Sequence, residues 1–171
     1  MKLSIHLTST AFVVACSAAL FTSGCASAGK PLASAKPKTV AVTATAYSCG
    51  AKCNGRWAKR NAIGGRLQSG AVNSAAADWS RFPVGTKFRV AETGKVYVVD
   101  DYGSAMVGKD KVDLFHTSYR DVYRWGVRQV NLEIIEWGCP DKSLQILKPR
   151  TRAPHVRRMV QALQSQQQEA G

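Results

Sequence analysis

The 171-residue chain is long enough for one compact domain, and it carries 24 Lys and Arg against 11 Asp and Glu, a net charge of +13. A hydrophobic content of 45% excludes a wholly disordered chain. The basic excess favours polyanionic partners, whether nucleic acid, anionic lipid or anionic cell-wall polymer, and composition does not choose among them.

The N-terminus supplies an address. Met1-Lys2 precedes an apolar stretch over residues 11–21 (AFVVACSAALF), which has signal-peptide length and is too short to span a bilayer as a mature helix. Small residues follow, and two processing readings stay open. Ser23-Gly24-Cys25 resembles the end of a bacterial lipobox, which would lipidate Cys25, although Thr22 stands where Leu is usual. Ala26-Ser27-Ala28 fits ordinary signal-peptidase cleavage. Lipidation is favoured, because small residues immediately precede a cysteine just beyond the apolar run. Residues 1–24 therefore read as a signal peptide and 25–38, rich in Pro, Ala, Ser and Lys, as a flexible linker. Export to the cell envelope, as a lipoprotein of the periplasm or outer membrane, turns the basic charge away from nucleic acid. It leaves the lipid bilayer and the wall as partners of a monomer.

Export also permits disulfides. With Cys16 removed and Cys25 lipidated, Cys49, Cys53 and Cys139 remain, enough for one bridge and one free thiol, with the pairing open. His116 and His155 do not lie at metal-ligand spacing from these cysteines, so no metal is expected.

Residues 39–47 (TVAVTATAY) alternate as a first strand. Residues 48–70 are Gly-rich and loop-like, and 71–77 form a run of small residues ending at Asp78. Residues 82–86 (FPVGT) signal a turn into a strand over 87–91. A hairpin turn at 92–95 leads to a return strand over 96–99. Residues 100–111 are a loop and 112–115 a short extended segment. Residues 119–125 have helical spacing and stop at Gly126, and 127–137 form the last strand. Short strands with Gly-rich connections predict a mainly β protein, a closed barrel over 39–139 with short helices. Residues 140–171 read as a basic tail, helical over 155–169, where Val156, Met159, Val160 and Leu163 share a face. Either this tail is solvated, or it contacts anionic membrane or wall polymer.

Three aspartates stand out by their surroundings: Asp78 in Ala76-Ala77-Asp78 before Pro83-Val84-Gly85-Thr86, Asp101 in Asp101-Tyr102-Gly103-Ser104-Ala105-Met106-Val107-Gly108, and Asp113 in Val112-Asp113-Leu114-Phe115. In this order, with Thr45-Ala46-Tyr47 and the nearby Cys49 and Cys53 upstream, residues 40–137 resemble the three-aspartate (3D) domain family. The resemblance implies a six-stranded double-psi β-barrel like that of membrane-bound lytic transglycosylase A, with more distant likeness to rare lipoprotein A and the expansins. It implies cleavage of the MurNAc–GlcNAc bond of peptidoglycan to leave a 1,6-anhydro sugar, with no cofactor. By the same resemblance Asp113 is the acid/base, Asp101 its electrostatic neighbour and Asp78 a more structural third member, with Tyr47, Tyr102, Gly103, Ser104 and Ala105 against the substrate. Such chemistry needs a carboxyl that is protonated at working pH, and a second carboxylate crowded against it would raise its pKa. The sequence departs from the family at Tyr102, where a small Thr is usual, at Leu67-Gln68-Ser69-Gly70, and in an Asp101–Asp113 segment one residue longer.

A non-catalytic, expansin-like wall-binding or wall-loosening barrel is the alternative. An aspartic protease would need a second D-[ST]-G-like loop. A thiol peptidase would have to pair Cys49 or Cys53 with His116, and neither cysteine sits at an evident helix start.

Overall fold

A computed structural model describes residues 38–49 and 59–169. The expected signal peptide, Cys25, most of the linker and Cys53 lie outside them. Six strands and three helices follow in order: β1 (Thr39–Tyr47), β2 (Asn73–Ala77), β3 (Lys87–Val90), β4 (Val96–Asp101), β5 (Lys111–Phe115), α1 (Tyr119–Trp125), β6 (Arg128–Glu136), α2 (Pro140–Leu147), a 3-10 turn (Lys148–Arg150) and α3 (Pro154–Glu169). The strands close into a barrel in the order β1-β5-β2-β4-β3-β6. β1 runs parallel to β5 and β2 parallel to β4, while the other four pairings are antiparallel. Parallel neighbours require crossovers, and two such crossed pairs in one six-stranded barrel make it double-psi. Closure leaves no free edge.

Alternation fills the interior. Val42 and Ala44 of β1, Val112 and Leu114 of β5, Phe88 and Val90 of β3, Tyr97 and Val99 of β4, and Val130 and Leu132 of β6 are all buried in one cluster. In the sequence β2 shows only as a run of small residues, since Asn-Ser-Ala-Ala-Ala has no β-branched side chain. It lies between β5 and β4, and Ser74 through Ala77 are all buried. A strand covered on both faces in so small a barrel has room only for small side chains. α1 begins at Ser118, whose hydroxyl accepts from the Asp121 amide at 3.2 Å, and ends at Gly126 in the left-handed region (φ 65°). Its Trp125 is buried and donates to the Ala44 carbonyl at 3.2 Å.

The C-terminal segment corrects the expectation of a tail. Residues 140–169 form two helices whose Leu144, Leu147, Val156, Met159, Val160 and Leu163 belong to the same buried cluster as the barrel. Ser143 Oγ accepts from the Val84 amide at 2.9 Å, and Gln166 reaches the Ser80 carbonyl at 3.1 Å. The apolar face of α3 is occupied by its own domain and is not offered to a bilayer. The basic residues fall on the solvated side, which is why composition alone suggested a solvated or membrane-bound end. Among the described residues no helix is long and apolar enough to cross a membrane.

Candidate functional site

The register of four strands builds one row of side chains. Asp113 of β5 lies opposite Thr45 of β1 on one side and Ala76 of β2 on the other, and Ala76 in turn lies opposite Asp101 of β4. The sequence neighbours Ala44, Val112, Leu114, Ala75 and Ala77 are buried in the core, so by alternation the row occupies the opposite face. Asp101 and Asp113 thus flank Ala76, with backbones about 10 Å apart if each strand step is ~4.8 Å. The β2 residue between them contributes only a methyl group. A register shift between Ala75 and Ala76 sets this arrangement: β4 advances one residue there, skipping Asp100 and bringing Asp101 into the row.

Asp113 Oδ1 accepts from Thr45 Oγ1 at 2.8 Å. Burial pushes its pKa above the ordinary carboxylate value, against the pull of the Thr45 hydrogen bond and of Lys111. Asp101 is pushed up to about 6, chiefly by burial, with the charge of Asp100 adding to it and the hydrogen bond from the Tyr102 amide (2.9 Å to Oδ1) opposing it. Tyr47, two residues beyond Thr45 on the same face, donates its hydroxyl to Asp101 Oδ2 at a long 3.4 Å. Burial, followed by the charges of Asp101, Asp100 and Asp113, keeps that phenol protonated well above its usual range. Mutual crowding of Asp101 and Asp113 is the cause the sequence leads one to expect for raised pKa values. Burial is the leading cause at both, and the carboxylate that adds to the shift at Asp101 is Asp100.

Asp78 does something else. It is 2% exposed, and its carboxylate accepts from the Ser80 amide at 2.9 Å, the Ser80 hydroxyl at 2.6 Å and the Gly108 amide at 2.7 Å. It fastens the loop after β4 to the turn after β2. Within that loop Gly103 packs closely on Met106, where a Cβ would meet the methionine Cε at 2.8 Å, and Ser104 and Ala105 are exposed.

Asp100 and Asn61 were not singled out by the sequence. Asp100 is buried and accepts from Asn61 Nδ2 at 2.8 Å and Ser74 Oγ at 2.6 Å. Burial raises its pKa as well. One oxygen of each partner, Asp100 Oδ1 and Asn61 Oδ1, is buried without a hydrogen bond. The available signal was the doubled acid of Val-Val-Asp-Asp, since consecutive residues at a strand end cannot both face one groove. Asn61 pins the loop whose residues Arg60 to Gly64 line a cleft of about 540 Å³, together with Asp101, Tyr102 and Arg150. The bulky Tyr102 is held edge-on to Trp79 (ring centroids 5.0 Å apart) and faces His155 of α3 at 6.0 Å. Trp79 donates to the Asp101 carbonyl at 2.9 Å. The C-terminal helices therefore give the larger side chain a seat.

The cysteines are placed elsewhere. Cys49 and Cys139 are free thiols, so no bridge joins them. Cys49 Sγ accepts from the Lys59 amide at 3.1 Å, and Cys139 Sγ caps α2 by accepting from the Lys142 amide at 3.4 Å. The His116 ring tilts against Trp125, with Nε2 buried and unpartnered, so it shares no hydrogen bond with a described cysteine. Among the described residues no three His, Cys, Asp or Glu side chains cluster as metal ligands would.

These features define a class: a closed double-psi barrel with half-buried carboxyls set in a row on one face. Residues 73–136 match the family model of the 3D domain. The matched segment contains Asp78, Asp101 and Asp113, while β1 and the C-terminal helices lie outside it. No curated protein matches the chain.

Proposed function

We propose that this protein is a peptidoglycan lytic transglycosylase that cleaves the MurNAc–GlcNAc bond and leaves a 1,6-anhydro end. The observation that carries the reading is the row in which Asp113 and Asp101 flank Ala76. Asp113 has one oxygen held by Thr45 and a second without a hydrogen-bond partner among the described residues, free to meet a glycosidic oxygen. Its proton passes to that oxygen as the bond to C1 breaks. The C6 hydroxyl of the same sugar then attacks C1, and the Asp113 carboxylate takes the hydroxyl proton. Atoms balance without water, and one carboxyl serves first as acid and then as base. Asp101, as a carboxylate across the row, would favour the positive charge that develops at C1 and, with substrate excluding water, strengthen the hold of Asp113 on its proton. The exported, lipid-anchored location belongs to the same proposal, since it puts the groove within reach of the wall.

The second reading is a wall-binding or wall-loosening barrel without cleavage. Tyr102 favours it, because a bulky ring lines the cleft beside Asp101 where the family usually has a small residue. Incubation with purified peptidoglycan, followed by mass spectrometry, separates the two. Anhydro-muropeptides are expected. Binding to the sacculi without any such product would leave the second reading.

A further inference from the structure

We infer that Arg60 and Arg150 form a carboxylate-recognition pair at the mouth of the cleft beside Asp101. The inference rests on the glycan reading above and names the substrate group that this part of the cleft takes. Arg81, Lys87, Arg89 and Arg124 each have a carboxylate partner. Arg60 and Arg150 have none among the described residues. Arg60 Nη1 donates to the Gly64 carbonyl at 3.0 Å. Arg150 Nη1 donates to the Ala62 carbonyl at 2.8 Å and lies 3.4 Å from the Tyr102 hydroxyl.

These bonds orient both guanidinium groups without neutralising them, and among the described residues the only acid lining the cleft is Asp101. Both supports are fixed in advance. The loop carrying Arg60 is tied down by Asn61 on Asp100, and Arg150 leaves α2 beside the buried Leu147. Two oriented, uncompensated forks at one cleft suit a planar carboxylate that arrives with the substrate. Peptidoglycan offers that group from two sources, the lactyl ether of the muramic acid and the stem peptide. Arg150 lies beyond the matched 3D segment, so this recognition would be an addition by the C-terminal helices.

The test is binding of labelled glycan oligosaccharides to the mature Asp113→Asn protein, which leaves the ligand uncut. Peptide-free oligosaccharides and intact muropeptides are each compared with their methyl esters. The free acids are expected to bind about 10-fold more tightly than the esters, and Arg60→Gln/Arg150→Gln should abolish that difference. The arm that shows the difference identifies the lactyl or the peptide carboxylate. Equal affinity for acid and ester overturns the inference and leaves the glycan reading standing, whereas no binding of either ligand sinks both. Arg150 also ties its turn to the loop. Arg60→Gln alone, and the esters on otherwise unchanged protein, therefore decide the matter if the double variant fails to fold.

Discussion

Asn61 donates through Nδ2 to Asp100 Oδ2 at 2.8 Å, joining the cleft loop to the end of β4 across 39 positions of sequence. Without that amide, buried Asp100 keeps only the Ser74 hydroxyl as a side-chain partner. Asn61→Ala is expected to cost about 1–3 kcal/mol by chemical denaturation, the usual penalty for leaving a buried polar group short of a partner. Amide exchange over residues 60–67 should accelerate at the same time. Unchanged exchange there would mean that the loop is held by other contacts.

The proton assigned to Asp113 gives the sharpest kinetic expectation. Asparagine keeps the shape and an oxygen for the Thr45 hydroxyl, so Asp113→Asn should fold with a melting temperature close to that of the parent. It cannot supply a proton, and release of anhydro-muropeptides should fall by about 10²–10⁴-fold or more. Wild-type turnover in this variant would remove Asp113 from the reaction.

Asp101 links the site to pH-dependent stability. Its pKa rises from 3.8 to about 6 on folding, mainly through burial, so the folded state binds the proton more tightly than the unfolded chain. The stabilisation is complete below pH 3.8 and is lost as pH climbs through about 6. Asp100 and Asp113 are displaced in the same direction. Asp101→Asn removes one such group. Relative to the parent, it should gain about 1–2 kcal/mol between pH 4 and pH 7.5, less than the full value of two pKa units because the side chain is only partly buried. Urea unfolding at the two pH values reads this difference directly, and a constant offset would contradict it.

Much of this architecture was legible. Alternation in residues 39–47 and the hairpin around Gly94 mark β1, β3 and β4 because each has one face in the core. The order of the aspartate motifs pointed to the barrel and to its acids. Three features were hidden for separate reasons. β2 lacks β-branched residues because it is covered on both faces. Asp100 looked like a spare neighbour of Asp101, since a register shift is a property of two strands and not of one sequence window. The C-terminal helices looked like a tail because their buried residues are spaced among arginines and interrupted by Pro149 and Pro154. Burial, and not carboxylate crowding, as the main cause of the raised pKa values also depends on how the folded chain surrounds Asp101 and Asp113.

Gly138 tests how closely the chain passes the turn after β2. A Cβ there would meet the Thr86 amide nitrogen at 2.6 Å and the Pro83 and Val84 carbonyl oxygens closer still. All of these are backbone atoms that cannot swing aside. Gly138→Ala should therefore destabilise by about 2–4 kcal/mol, through forced separation of β6 from the 83–86 turn. A melting temperature equal to the parent's would show that the two segments part without cost.

Leu147 distinguishes a structural C-terminus from an appended one. Its side chain is fully buried in the core cluster, three residues before Arg150. Leu147→Ala is expected to cost about 2–5 kcal/mol, the range for a large-to-small change at a site that cannot collapse. Because the same turn presents Arg150 to the cleft, a chain ending at residue 139 should lose the charge at the cleft mouth as well as stability. If that shortened chain melted at the parent temperature, α2 and α3 would be accessories to the barrel. Their burial argues instead that they complete it, with the fold and one wall of the cleft depending on the same side chains.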